Sequence, residues 1–288
     1  MKRIVIAALA LCALSAFVCA QNFNGAPGVP NANGGESFSF SITWEDIKDN
    51  INGTQKGPAD LSVPANEKNE EAVSLSKEEL DAQDIERMTL LAQGGNANFQ
   101  YNLGRCYDRG LKVAQDYKKA LYWYQKAAEN GNDYAANNLG CLYLDGDGTE
   151  QDFEKAAFWF ERAAKKDNTY ALLNLGCMYA DGSLGGSPDY DKAFKYYKKA
   201  DKLDCAPAAY LLGNCWQNGM GTSANQKKAF SCFKRAADAG YEPAYYETGR
   251  RYYEGNGVKK DMKLAKKYLE FAAKKGDLKA AALLGGCM

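Results

Sequence analysis

The chain of 288 residues contains no histidine. This absence excludes Ser-His-Asp and Cys-His catalytic arrangements, proton transfer through histidine and the usual zinc sites. The sequence also lacks a dominant charge, because 36 basic side chains balance 36 acidic ones, and a neutral chain is not expected to bind nucleic acid. No two cysteines have the C-x-x-C spacing of zinc knuckles and redox motifs. We therefore predict no catalytic residue, no metal site and no cofactor.

The sequence has no long apolar run after residues 4–17, so no integral membrane segment is predicted in the rest of the chain. At the N-terminus, two basic residues precede the apolar run 4–17, and small side chains follow it. This pattern is typical of a secretory signal peptide at 1–20, cleaved after Ala20. Lipidation at Cys19 is disfavoured because that processing requires a small residue before the cysteine, and valine stands there. We therefore expect a periplasmic or secreted protein.

Residues 21–76 differ in composition from the rest of the chain. They are rich in Asn, Gly and Pro, and acidic side chains outnumber basic ones, so we expect a flexible acidic segment. Alternating apolar residues at 37–44 predict a single strand, which would not be stable by itself. Ser76 and Glu79 then form a capping box that predicts a helix beginning at Lys77.

From residue 96 the sequence repeats itself with a period of 36 residues, with one extra residue in the third unit. Position 12 of every unit is aromatic, position 15 is glycine, and two alanines recur in its second half. Position 9 is also glycine, at Gly104, Gly140, Gly176, Gly213 and Gly249. A period of this length predicts a solenoid. The predicted parts of this 77–288 domain are a cap at 77–95, repeats at 96–131, 132–167, 168–204, 205–240 and 241–276, and a cap at 277–288.

The pattern of one unit predicts two helices joined by a glycine-containing loop. Gly146 permits the left-handed turn that ends the first helix, and Asp152 caps the second helix. Position-9 glycine and the alanines allow the two helices to approach closely. We expect Trp123, Trp159 and Tyr196 to fill the space above them. The predicted fold class is all-α, a right-handed α/α solenoid of helix-turn-helix repeats with half-repeat caps.

The second unit carries the clearest motif. It reads Asn137-Asn-Leu-Gly-Cys-Leu-Tyr143, then Gly146, Asp152, Lys155-Ala156, Trp159-Phe160 and Ala163-Ala164. This pattern resembles the Sel-one-like repeat family, relatives of the tetratricopeptide repeats. The resemblance covers residues 77–288 and implies an adaptor or scaffold role of the kind that the family has in signalling, secretion and virulence.

The resemblance also implies an alternative function. A cysteine-rich branch of the family is linked to β-lactam binding and weak β-lactam hydrolysis. In that branch a cysteine ends one helix and a second cysteine follows eight positions later, and this pattern staples successive repeats. Ala200 and Asp201 stand where the first cysteine of that pattern would be, so this chain departs from the branch. We expect a binding protein and not an enzyme. Spectrophotometric assay with nitrocefin should show no hydrolysis, whereas turnover would favour the alternative.

In related solenoids, positions 3, 6, 10 and 13 of each first helix point into a concave groove. Here these positions are rich in tyrosine, which offers apolar area and a hydrogen-bonding tip for a protein or peptide ligand. The alternative for any one tyrosine is packing between repeats. The predicted partner-binding groove consists of Tyr101, Arg105, Asp108, Tyr134, Asn137, Tyr170, Tyr210, Asn214, Tyr246, Arg250 and Tyr253.

One disulfide bond is predicted in the fourth unit. Cys215 and Cys232 lie nearly the same distance from the intervening loop, so a helical hairpin brings them opposite each other. The competing interpretation is that the cysteines are small buried hydrophobic residues, a common role for a free thiol.

Overall fold

The computed structural model describes residues 77–285, so the predicted signal peptide, the strand at 37–44 and residues 286–288 lie outside the described part. Helices and their connecting turns make up the whole of the described part, which confirms the all-α prediction. The helices are α1 (Lys77–Gln93), α2 (Ala97–Arg109), α3 (Tyr117–Glu129), α4 (Asp133–Asp145), α5 (Phe153–Ala164), α6 (Thr169–Asp181), α7 (Tyr190–Asp201), α8 (Ala206–Asn218), α9 (Gln226–Asp238), α10 (Pro243–Glu254), α11 (Met262–Lys274) and α12 (Leu278–Gly285). Between residues 77 and 285, no helix has the length and apolar character needed to cross a membrane.

The helices pack in sequential pairs, as in a helical repeat solenoid. Helices α2 and α3 form the first pair, and the pairs α4–α5, α6–α7, α8–α9 and α10–α11 follow it. Each second helix also packs against the first helix of the next pair. Helix α1 packs against α2, and α12 packs against α11. Each repeat therefore buries its faces against its neighbours along the chain.

The ends of the helices follow the predicted signals. At the end of α4, Gly146 adopts φ 79°, and its N–H donates to the carbonyl of Leu142. At the start of α5, the side chain of Asp152 accepts a hydrogen bond of 2.9 Å from the N–H of Lys155. The N–H of Asp152 donates to the carbonyl of Tyr143 at 2.8 Å, which ties the loop to the helix that precedes it. These local bonds fix the turn between the two helices of a repeat.

Within each pair, a side chain of the second helix packs against the glycine at position 9 of the first, and in the first four repeats this side chain is an aromatic ring. A Cβ atom on Gly140 would lie 2.6 Å from Cε1 of Phe160, which is fully buried. The corresponding contacts are Gly104 with Tyr124, Gly176 with Tyr197, Gly213 with Phe233, and Gly249 with Leu269. Glycine at this position is therefore required by the distance between the two helices.

Trp123, Trp159 and Tyr196, which were predicted to fill the space above the two helices, each stand one residue before the side chain that contacts the glycine. Successive helical residues point about 100° apart, so the side chain after each of them faces the glycine instead. Trp159 lies to the side of that contact. Its ring meets Phe158 edge-on with centroids 5.2 Å apart, and the guanidinium of Arg162 lies 4.9 Å from its centroid.

Polar side chains join successive repeats. Asn174 of α6 donates to Oδ1 of Asn137 in α4 at 3.1 Å, and Asn168 donates to Asp133 at 2.9 Å. Arg251 of α10 is fully buried, donates to the side-chain oxygen of Gln217 and stacks on a ring of the preceding repeat. These hydrogen bonds between neighbouring repeats fix the register of one repeat on the next.

Gly140→Ala should lower the free energy of unfolding by about 1–3 kcal/mol, because the new methyl group would overlap the buried ring of Phe160. Gly285→Ala is the matched control, since Gly285 is helical and nothing lies within 4 Å of the added Cβ atom. The control should be neutral or stabilise by up to about 1 kcal/mol through helix propensity. Urea denaturation followed by circular dichroism measures both, and equal midpoints for the two variants would contradict the contact.

Candidate functional site

The predicted groove residues lie on the first helices of the repeats, and those of α2, α4 and α6 meet across repeat boundaries. The ring of Tyr101 lies 6.2 Å from that of Tyr134 and 6.0 Å from that of Tyr124, centroid to centroid. Tyr134 and Tyr101 also raise the pKa of Tyr170, after the larger effect of burial. We call the surface formed by Tyr101, Arg105, Tyr134, Tyr170, Tyr210, Tyr246 and Arg250 the first-helix face.

The second group of tyrosines lies on α8 and α10. The ring of Tyr210 lies 5.4 Å from the rings of Phe233 and Tyr241, and burial raises the pKa of Tyr210 to about 12. The carboxylate of Glu247 raises the pKa of Tyr210 further, and the guanidinium of Arg250 lowers it. The same two charged groups act on the pKa of Tyr246, so these side chains share one environment on neighbouring helices. The C-terminal end of the first-helix face therefore carries tyrosine together with paired charges.

Two predicted groove residues are buried and do not belong to the exposed surface. Asp108 is 2% exposed, and its Oδ2 accepts a hydrogen bond of 2.9 Å from the hydroxyl of Tyr124. Asn137 is also 2% exposed and is bonded to Asn174 of the next repeat. The prediction was wrong for both, because the second helix of the pair or the next repeat covers positions that one helix alone would leave open.

Two further predicted residues are half-buried and already have contacts. Asn214 hydrogen-bonds the hydroxyl of Tyr210, so it supports that ring. Tyr253 faces its own loop, where the ammonium group of Lys260 lies 5.3 Å from the ring centroid. Both residues position neighbours more than they offer surface to a partner.

The sequence reasoning missed the carboxylates that neutralise Arg250. Its guanidinium lies 2.7 Å from Oε2 of Glu247 and 3.1 Å from Oε2 of Glu254. Both pairs join side chains three or four residues apart on α10, where they share one helix face. A search for charges at i−3 and i+4 from each groove arginine would have found them in the sequence.

The two cysteines of the predicted disulfide are free thiols in the structure, so the predicted bond is not formed there. Burial raises the pKa of Cys215 to about 12, and the thiols of Cys177 and Cys232 raise it further. Because only the thiolate attacks another sulfur, such a thiol is a poor nucleophile in the folded protein. The structure thus describes small buried thiols, and a bridge between Cys215 and Cys232 under oxidising conditions stays a prediction.

Exposed aromatic side chains occur on two different surfaces. Tyr134 on the first-helix face is 52% exposed. Tyr122 of α3 is also 52% exposed and Phe158 of α5 is 54% exposed, and both belong to second helices. Exposure alone therefore does not choose between the surfaces, and the surroundings of each ring must decide. Tyr134 lies beside Tyr101 and near Tyr170, whereas the ring contact of Tyr122 is with its sequence neighbour, Trp123.

The buried carboxyl of Asp108 should make the stability of the fold depend on pH. Burial raises its pKa to about 6, against the lowering effects of the Tyr124 hydrogen bond and of Arg109. Because the folded-state pKa exceeds the unfolded value near 3.8, this group favours folding at low pH, and that contribution is lost as pH rises from about 4 to about 6. A pKa difference of this size corresponds to about 3 kcal/mol in the free energy of unfolding.

Asp108→Asn keeps an oxygen acceptor for Tyr124 and removes the titration. We expect the free energy of unfolding of the variant, taken relative to that of the parent, to be about 1–3 kcal/mol higher at pH 7.5 than at pH 4.5. Urea denaturation of both proteins at the two pH values measures this difference. A difference between parent and variant that is the same at both pH values would show that Asp108 does not titrate there.

Comparison with known proteins gives matches along the solenoid. A model of the Sel1 repeat matches residues 97–132, 133–168, 169–202, 206–241 and 242–277. The crystal structure of a protective antigen present in uropathogenic Escherichia coli strains, displaying an SLR fold, is 29% identical with a TM-score of 0.68 and covers 71% of this chain. This chain spans 44% of that antigen's length. A Sel1 repeat protein from Oxalobacter formigenes is 27% identical with a TM-score of 0.63, over 70% of this chain and 89% of that one. A search of curated proteins found no match.

Proposed function

Because the chain belongs to the Sel1 repeat family, we propose that it is an exported scaffold that binds a protein or peptide partner on its first-helix face. The observation that carries this proposal is the row of tyrosines that crosses the repeat boundaries. Tyr134 is half-exposed, and its ring adjoins that of Tyr101, which in turn packs on the buried ring of Tyr124. A partner therefore meets an aromatic surface that the repeat core already holds in place.

A supported aromatic surface favours binding for an energetic reason. Immobilising side chains costs conformational entropy on association, and packing of the rings against the core has already met much of that cost. Tyrosine also adds a hydroxyl group at the edge of its apolar ring, which can exchange hydrogen bonds with a peptide backbone. Aromatic residues of this kind provide much of the binding energy in protein interfaces.

The two ends of the first-helix face differ in their chemistry, so a bound segment would have a defined direction. Tyr101, Tyr134 and Tyr170 lie on the first three repeats, and Arg105 lies over the ring of Tyr101. Tyr246 lies on the fifth repeat, beside the Glu247–Arg250 pair. A peptide that runs along the first helices would meet these groups in a fixed order.

The proposed role is binding without catalysis, and the proposed location is outside the cytoplasm. The absence of histidine from the sequence removes the commonest general base, and the signal-like residues 1–20 motivate the export. Detection of the chain cleaved after Ala20 in an envelope or secreted fraction would support the location.

Tyr134→Ala should weaken partner binding by about 1–2 kcal/mol, roughly tenfold in Kd, because it removes an aromatic anchor of the first-helix face. The partner is one isolated by pull-down from envelope extract, and its affinity is measured by isothermal titration calorimetry. Tyr122→Ala is the matched control, since Tyr122 is equally exposed but lies on a second helix.

The control variant should bind the partner with the affinity of the parent. Circular dichroism spectra of both variants should match that of the parent, because neither ring is buried. If Tyr122→Ala weakens binding and Tyr134→Ala does not, the second helices carry the partner and the proposal is wrong.

A further inference from the structure

Two arginines occupy the same repeat position at opposite ends of the first-helix face. Arg105 is position 10 of the first repeat and Arg250 is position 10 of the fifth. Both are half-buried on a first helix. Their equivalent places in the repeat make them a natural comparison, because the backbone presents both side chains in the same way.

The neighbours of the two arginines differ in charge. Arg250 is paired with Glu247 and Glu254, at repeat positions 7 and 14. The residues at positions 7 and 14 of the first repeat are Asn102 and Arg109, so both carboxylates are missing there. The helix that carries Arg105 therefore gains a second cation where the other helix has an anion.

Arg105 has an aromatic neighbour but no carboxylate at ion-pair distance among residues 83–285, whose side chains the structure describes. Its guanidinium carbon lies 5.6 Å from the ring centroid of Tyr101. Asp108 is the acidic group nearby, and it is buried with one oxygen bonded to the hydroxyl of Tyr124.

We infer that Tyr101, Arg105 and Tyr134 form a subsite for an acidic residue of a bound peptide, with an apolar residue next to it. This inference rests on the proposed function and names the partner's chemistry. The carboxylate pairs with the guanidinium of Arg105, which is held over the Tyr101 ring. The apolar neighbour packs on the exposed ring of Tyr134, 6.2 Å from Tyr101.

A cation that lacks an internal partner gains more from a ligand carboxylate than one already paired. Arg250 would have to break or share its bonds to Glu247 and Glu254, whereas Arg105 has no such ion pair to give up among residues 83–285. The planar guanidinium also fits a carboxylate through two parallel hydrogen bonds. The acidic residue is therefore expected at the first-repeat end of the first-helix face and not at the fifth.

The test selects random 12-residue peptides, displayed on phage, against immobilised residues 21–288 of the parent, Arg105→Gln and Arg250→Gln. Peptides selected on the parent and on Arg250→Gln should be enriched in Asp and Glu beside an apolar residue. Those selected on Arg105→Gln should show acidic residues at the library frequency. Acidic enrichment that survives Arg105→Gln, or is absent from the parent, would overturn the subsite.

The interaction between Arg105 and the acidic residue is then measured directly with one selected peptide, synthesised with an amidated C-terminus. Changing its acidic residue to the amide should weaken binding to the parent by about tenfold and binding to Arg105→Gln by less than about twofold. The amidated end ensures that a side chain, and not the chain terminus, supplies the carboxylate. Arg105→Lys keeps the positive charge and should retain part of the acidic preference, which separates loss of charge from loss of fold.

The same peptide distinguishes failure of the subsite from failure of the proposed function. If Tyr134→Ala weakens binding but the peptide's acidic residue contributes nothing, the first-helix face binds peptides and the subsite is wrong. If Tyr134→Ala leaves the affinity unchanged, the peptide binds elsewhere, and both the proposed function and the subsite are contradicted.

Discussion

The contact between a glycine of the first helix and a ring or branched side chain of the second determines the geometry of every repeat. At Gly140 an added methyl group would lie 2.6 Å from the Phe160 ring, so the two helices are as close as glycine allows. The same contact recurs in all five repeats, with leucine replacing the ring in the last. Because neighbouring repeats share the helices that this contact positions, its distance sets how the first helices line up, and with them the surface offered to a partner.

Constant packing between the helices leaves the other positions of the first helix free to differ. Position 10 shows this most clearly, with Arg105 in the first repeat and Arg250 in the fifth on equivalent backbone. The neighbours decide the chemistry: Glu247 neutralises Arg250, while the first repeat has Asn102 at the corresponding place. A repeat protein can thus keep one fold and vary its binding surface by substitutions that do not touch the core.

The features that depend on local sequence could be predicted, and those that depend on neighbouring helices could not. The period, the left-handed glycine at 146 and the Asp152 cap follow from residue type and spacing, and the structure confirms them. Phe160 and not Trp159 contacts Gly140, and the sequence could not show this because two adjacent aromatic residues leave the rotation of the helix undecided. Asp108 was placed on the surface, as carboxylates usually are, because its burial arises from the second helix of its own pair.

Photo-crosslinking in the producing cells tests most directly whether the first helices carry the partner. Benzoylphenylalanine replaces either Tyr134 or Tyr122, two side chains that are both 52% exposed but belong to a first and a second helix. Equal exposure removes accessibility as an explanation for any difference between them. If the first helices carry the partner, illumination gives a discrete crosslinked product from position 134 and none from position 122. A product from position 122 alone would contradict binding at the first helices.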